Sequence, residues 1–269
     1  MLRFHSLVRG GRRRTFLRDL TACFRTGKAM SYDKQQVPLL LACLMCMATV
    51  PAWGQPWNGA TVWSGSSGGD WFDDGRWSNG YPNKLGASHD ARIDNGSNSQ
   101  SHSGPLISGW NPNGSNSPAE AYRVYVGWSA GGGGYLAMSA GGLMTEGLYI
   151  GHSLEGWGGF NMTGGELGVG KVGLSYTGPI VVGDRGDGEL TASNGSVIRA
   201  GAIILAAQSF VEAEVSLNNA DLEASNLIVG EWGKGSLYHN TMTSAEIGTL
   251  TVRNGSYYLD MGTLTTTTT

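Results

Sequence analysis

The chain of 269 residues has only three cysteines, and all of them (Cys23, Cys43 and Cys46) precede residue 55. Everything after that point can form no disulfide, and it must hold itself together by packing and backbone hydrogen bonding. The same absence removes the thiolate ligands of a structural zinc site. The five histidines (His5, His89, His102, His152 and His239) are scattered without H-x-x-H or H-E-x-x-H spacing, which excludes the common catalytic zinc motifs. Proline occurs only 8 times, too rarely for collagen or a proline-rich linker. Charged residues make up 14% of the chain, well below the usual quarter. Long apolar runs are missing too: the most continuous, Val37 to Val50, is 14 residues long and too short to cross a bilayer comfortably.

The few charges are unevenly placed. Of the 18 Lys and Arg, nine fall in residues 1–54, against two of the 21 Asp and Glu. Residues 55–269 therefore keep nine bases and nineteen acids, a net charge near −10 on a chain whose total is −3. Such a surface repels nucleic acid and anionic lipid, and no membrane span is expected in the mature part. The basic start, the apolar segment 37–50 and the small residues Ala52 and Gly54 before Gln55 read as a signal peptide. The expected location is thus secreted or at the cell surface. Leu40-Leu41-Ala42-Cys43 loosely matches a lipobox, but the apolar run continues past Cys43, which favours an ordinary signal. Arg13-Arg14 stands too far from the apolar core for a twin-arginine signal, and Met30 is an alternative start.

Glycine is what the chain has in excess: 44 of 269 residues, more than twice the usual share. Much of it recurs. Val126-Gly127, Ile150-Gly151, Val182-Gly183 and Val229-Gly230 each end a short β-type run. The intervals between those glycines are 24, 32 and 47 residues: one unit, one unit with an insertion near Gly168–Tyr176, and two units with Ile203-Ile204-Leu205-Ala206 at the midpoint. A second series starts with Leu190-Thr-Ala-Ser-Asn-Gly-Ser196 and Leu250-Thr-Val-Arg-Asn-Gly-Ser256, with Phe160-to-Glu166 and Val215-to-Asp221 as looser copies. A period of about 24 suits one turn of a single-stranded parallel β-helix, a solenoid whose units bury their apolar faces only by stacking. Asn-Gly turns also suit antiparallel hairpins, so a β-sandwich is the alternative fold. The glycines recur with the repeat, so they report corners and not phosphate binding.

The exported part opens with Trp57, Trp63, Trp71 and Trp77, in the pattern Trp63-x-Gly65, Gly69-Asp70-Trp71, Trp77-x-x-Gly80-x-Pro82 and Asp90-x-x-Ile93. This pattern resembles the opening of bacterial surface proteins with Gly-rich β-solenoid repeats, such as autotransporter passengers and proteins with a PEP-CTERM sorting signal. The resemblance covers residues 61–94 and implies display outside the cell, in attachment or in a matrix. Three regions are expected: an export segment over 1–54, a Trp-rich cap with a Gly/Asn/Ser loop over 55–118, and solenoid repeats over 119–269. The cap reading follows because a solenoid must cover the end of its core, and indoles bury much area per residue. The last residues, Leu264 to Thr269, follow directly on a fresh repeat and read as a C-terminal truncation.

No activated pair of catalytic groups can be named, so a non-enzymatic structural or adhesive role is expected. The competing reading as a polysaccharide lyase or glycoside hydrolase would draw on Asp184, Asp187, Glu189 and Glu231. Asp184 and Asp187, in Gly183-Asp-Arg-Gly-Asp-Gly-Glu-Leu190, are also a weak candidate Ca2+ pair, since that motif works through tandem repetition and only one copy is present. A carbohydrate-binding module is the alternative function, with extracellular polysaccharide as its partner. It would use exposed tryptophans among Trp110, Trp128, Trp157 and Trp232, with Trp128 and Trp232 favoured because they follow a repeat glycine. No cofactor is expected.

Overall fold

A computed structural model describes residues 59–63, 68–82, 89–94, 104–112, 117–240, 244–260 and 262–266. The expected export segment, its cysteines, the alternative start and Trp57 lie outside the described residues. The chain divides into units Met1–Pro56 and Trp57–Thr269, and the second carries everything below. It is all-β, with helical structure among the described residues limited to short 3-10 turns such as Asp74–Arg76. No helix among them is long and apolar enough to cross a membrane.

The strands are β1 (Ala60–Val62), β2 (Gly69–Asp70), β3 (Asp90–Ile93), β4 (Pro105–Gly109), β5 (Ala119–Val126), β6 (Gly133–Ile150), β7 (Trp157–Met162), β8 (Glu166–Val169), β9 (Lys171–Val172), β10 (Ser175–Tyr176), β11 (Pro179–Val182), β12 (Asp187–Leu205), β13 (Glu212–Val229), β14 (Lys234–His239), β15 (Ser244–Val252), β16 (Gly255–Leu259) and β17 (Thr263–Thr266). Fifteen of them share one sheet. Strand pairing within that sheet is parallel throughout, and antiparallel contact is confined to the β9–β10 hairpin and one isolated bridge, Trp63 to Trp77. The antiparallel sandwich held as an alternative is therefore not what forms. A parallel neighbour requires the chain to return over some distance, and here the return is the repeat itself.

The long strands β6, β12 and β13 each run through three consecutive segments. β6 pairs with β7, then β8, then β11, and β12 pairs with the same three on their other side, so the pairing closes a ring. β12 then lies along β13 through all three segments, Leu190 beside Val215 and Ile203 beside Leu227. Side chains alternate between the two sides of a strand, so each aligned position becomes a column. The column Ile93, Val126, Ile150, Val182, Leu205, Val229 is fully buried, as are Leu136, Phe160, Leu190 and Leu237 in another.

The first repeat series matches this register. Val126, Ile150, Val182 and Val229 occupy one column, and Leu205 fills the midpoint expected between the last two. The glycines that follow have φ of 73°, 66°, 73° and 69°, and Ala206 takes the same left-handed turn at 54°. The eight-residue excess in the longer interval is a hairpin: Thr145 pairs with Val169 and Leu148 with Ile180, and β9 and β10 fold out between the latter two.

The second series is corrected by the structure. Leu190 belongs to the column of Phe160 and Val215, whereas Leu250 lies beside Leu227 in a different segment. The two closest sequence copies are thus out of register, and the two loose copies are in it. Asn194-Gly195 does make a left-handed corner, at φ 55° and 77°, but Asn254-Gly255 does not.

Much of the glycine is explained by the corner of the first series, which takes two of them in four of its five rows. A Cβ on Gly158 would fall 2.2 Å from the amide nitrogen of Gly151, and the pairs 134/127, 188/183 and 235/230 are equally close. The turn folds so tightly against the strand it feeds that neither residue has room for a side chain. In the intermediate turn both places hold alanine, Ala206 and Ala213, so the exception occurs on both sides at once.

Candidate ligand-binding face

The first segments of β6, β12 and β13 line up with β7, β14 and β16, and their outward side chains form a grid. One outward column reads Tyr135, Gly159, Glu189, Glu214, Ser236, Ser256. The next reads Ala137, Asn161, Thr191, Ser216, Tyr238, Tyr258. At the strand starts stand Gly133, Trp157, Asp187, Glu212 and Lys234. Parallel strands hold such rows about 4.8 Å apart.

Trp157 and Tyr135 converge over Gly159. Their rings are nearly parallel, 8° apart with centroids separated by 6.4 Å. A Cβ on Gly159 would lie 2.4 Å from Trp157 and 3.0 Å from Tyr135, so glycine is what lets both rings settle there. With Asn161, Glu189 and Thr191 they line a cleft of about 210 Å³. Burial raises the Tyr135 phenol above its ordinary value, and the nearby Glu189 charge adds to this, while a hydrogen bond with Asn161 opposes it. The Thr191 hydroxyl donates to Glu189 at 3.3 Å. Trp157 and Glu189 also border a broader groove of about 670 Å³ that runs past Asp187, Glu212 and Glu214 to Tyr238 and Tyr258. Those last two rings stack at 4.9 Å and 5°. Glu189 and Glu214 are direct neighbours in the ladder, an arrangement that costs energy for like charges. Lys234 is the lysine bordering the groove, and its ammonium donates to Glu212 at 3.2 Å.

The residues singled out from sequence are split between this face and a neighbouring corner. Oδ2 of Asp184 is 2.7 Å from Nδ1 of His152. Asp187 instead takes the Glu212 amide at 2.8 Å through Oδ1. The candidate Ca2+ pair is therefore engaged by different groups, and no cluster of three or more His, Cys, Asp or Glu suited to a metal occurs among the described residues. Glu231 does stand two rows from Asp184, as its spacing predicts, but Ala207 lies between them and Glu231 binds Arg253 at 2.8 Å. Trp128 is half-buried. Its ring stacks on His152 at 5.0 Å and 13°, carries the Arg92 guanidinium 4.0 Å from its centroid, and packs on the Tyr125–Tyr149–Val181 cluster. Its aromatic face is already occupied. Trp232 is the opposite case, 68% exposed in the loop just before Lys234. Trp63, Trp71 and Trp77 are buried in the core and offer no platform.

Sequence reading missed His152 as the link between Trp128 and Asp184, and it missed Tyr135, Asn161, Glu214, Tyr238 and Tyr258 altogether. The signal was there in the register: Tyr135, Gly159 and Glu214 each stand eight places after the corner residue of their row, but Glu189 and Ser236 stand six after theirs. Shorter corners in two of these five rows hide the column from a count of fixed period. Comparison of the chain with protein families, with curated proteins and with solved structures gave no significant match.

Proposed function

We propose that residues 119–266 are a single-stranded parallel β-helix and that the protein is an exported, non-enzymatic scaffold of the cell surface with an adhesive role. The observation that carries the fold is the pairing of β12 through three successive segments, in the same order, with a returning chain on each side. Stacks of this kind offer long, regular outward faces and need no bound group to hold them. A non-catalytic role is supported by the corner acids Asp184 and Glu231, each held by its own side-chain partner, His152 and Arg253 respectively. Display outside the cell is supported by the sequence features of residues 1–54 and by the acidic, cysteine-free remainder.

The experiment is fractionation of bacterial cells producing the full chain, with and without residues 37–50. The full chain is expected in the medium or open to added protease on intact cells, and the deletion is expected to stay in the cytoplasm. Cytoplasmic retention of both would end the export reading. Release of new reducing or unsaturated ends from a polysaccharide panel, abolished by Asp184→Asn, would replace the scaffold with an enzyme.

A further inference from the structure

We propose that the outward face from Tyr135 to Tyr258 binds an extended chain of neutral pyranose sugars. This deepens the adhesive reading by naming a ligand class, yet it stands on this face alone. Binding in solution can fail while surface display holds, and the reverse.

Four features of the face converge on that ligand. Rows about 4.8 Å apart approximate the length of one pyranose in an extended glycan, so successive sugars meet equivalent positions. Near-parallel aromatic pairs stand at both ends, Trp157 with Tyr135 and Tyr238 with Tyr258. The outer ring of each pair, half-buried Trp157 and exposed Tyr258, keeps surface that can pack against the C–H faces of pyranoses, burying apolar area while leaving the hydroxyls at the rim. Between the pairs lie Asn161, Thr191 and Ser216, which can donate and accept, and Glu189 and Glu214, which can only accept. The Glu214 carboxylate has no hydrogen-bond or ion-pair partner among the described residues, and sugar hydroxyls would supply donors.

Charge selects within the class. Asp187, Glu189, Glu212 and Glu214 face the groove against Lys234 alone, which is tied to Glu212. A uronate or sulfated chain would bring anions against these carboxylates, and the face therefore discriminates by repulsion. Gly159 is the specificity-determining small residue, because any side chain there would displace both rings of the cleft.

Isothermal titration calorimetry of the full-length protein tests this with four probes: cellohexaose, β-1,4-mannohexaose, chitohexaose and hexagalacturonate. At least one of the three neutral chains should bind, with hexagalacturonate weaker by about tenfold or more. Trp157→Ala should weaken the neutral ligand by about tenfold or more. Glu189→Gln should narrow the gap to hexagalacturonate. Trp110→Ala, outside this face, should leave affinity unchanged. Saturation-transfer NMR on the wild type gives a check free of any folding defect: magnetisation from aromatic protons should reach the sugar ring C–H protons. The proposal falls if none of the neutral chains binds at roughly millimolar concentration, if hexagalacturonate binds as well as they do, if a natively folded Trp157→Ala keeps its affinity, or if no aromatic transfer is seen.

Discussion

At the β1 end of the sheet the core is covered by Trp63, Trp71 and Trp77, whereas at the β16–β17 end Leu250, Tyr257 and Leu264 remain partly exposed. The tryptophans meet edge to face at 5.2 Å and 5.0 Å, and Nε1 of Trp77 donates to the Trp71 carbonyl at 2.8 Å. Leu250, Tyr257 and Leu264 simply continue columns that are fully buried a few rows earlier. The difference shows what a ladder can do for itself. An inner side chain in mid-stack has neighbours above and below, but one in a last row has them on one side only. Sealing the end takes side chains large enough to cover the last row: Trp63 and Trp71 extend the columns of Ile93 and Ile107, and Trp77 packs on both from the turn that follows.

The largest effect should come from that seal. Trp71 is fully buried, so Trp71→Ala should cost about 4 kcal/mol in urea unfolding. Tyr257→Ala should cost less, about 2 kcal/mol, because its ring is only partly buried, although its hydroxyl also partners the buried His239. Both should lower the transition midpoint without changing its slope. Equal losses at the two positions would erase the distinction between the ends.

Alkaline pH separates the middle from the open end. Burial pushes the phenols of both Tyr149 and Tyr257 up to about 12. An acid group whose folded value is raised stabilises the fold fully below its unfolded value, near 10 for a phenol, and that contribution disappears as pH climbs through the folded value. For Tyr149, stacked against Tyr125 at 5.1 Å, the loss between pH 10 and 12 should be about 2 kcal/mol. Tyr149→Phe should flatten that part of the stability curve. Tyr257→Phe should flatten it less, since water screens the more exposed ring. The opposite ranking would place the better-shielded tyrosine at the open end.

How far the sequence reads through to this molecule depends on which residues carry the repeat. The corner glycines and the aliphatic residue before each are legible, because a left-handed turn and a fully buried column tolerate few substitutes. That is why Val126, Ile150, Val182 and Val229 reveal the stacking, and why the insertion is located correctly. Leu190 and Leu250 mislead because an Asn-Gly turn after a β-run suits any corner and does not say which one. The candidate face is less legible still. Its outward positions do not share one environment down the column, so Tyr135, Gly159 and Glu189 line up with no common chemistry. Trp128 and Trp232 look alike in sequence, both close behind a repeat glycine, yet the presence of His152 and Arg92 around the first makes one a packed residue and the other an exposed one.

The smallest effect tests whether the rows are held from inside or outside. Arg199 on β12 reaches both neighbouring rows, forming ion pairs with Glu166 and, at 3.1 Å, with Glu223. Lys234 with Glu212 and Arg253 with Glu231 likewise join adjacent rows. These links are regular enough to look like a structural device, but all are solvent-accessible, and exposed pairs contribute about 0–1 kcal/mol each. Arg199→Ala should therefore cost less than about 1 kcal/mol, and the deficit should vanish in molar salt, where charges are screened within a few ångströms. A loss comparable to that of Trp71→Ala, persisting in salt, would mean that the outward ions and not the inner columns set the stacking. In that case the β16–β17 rows would depend on Arg253 and Glu231 rather than on burial.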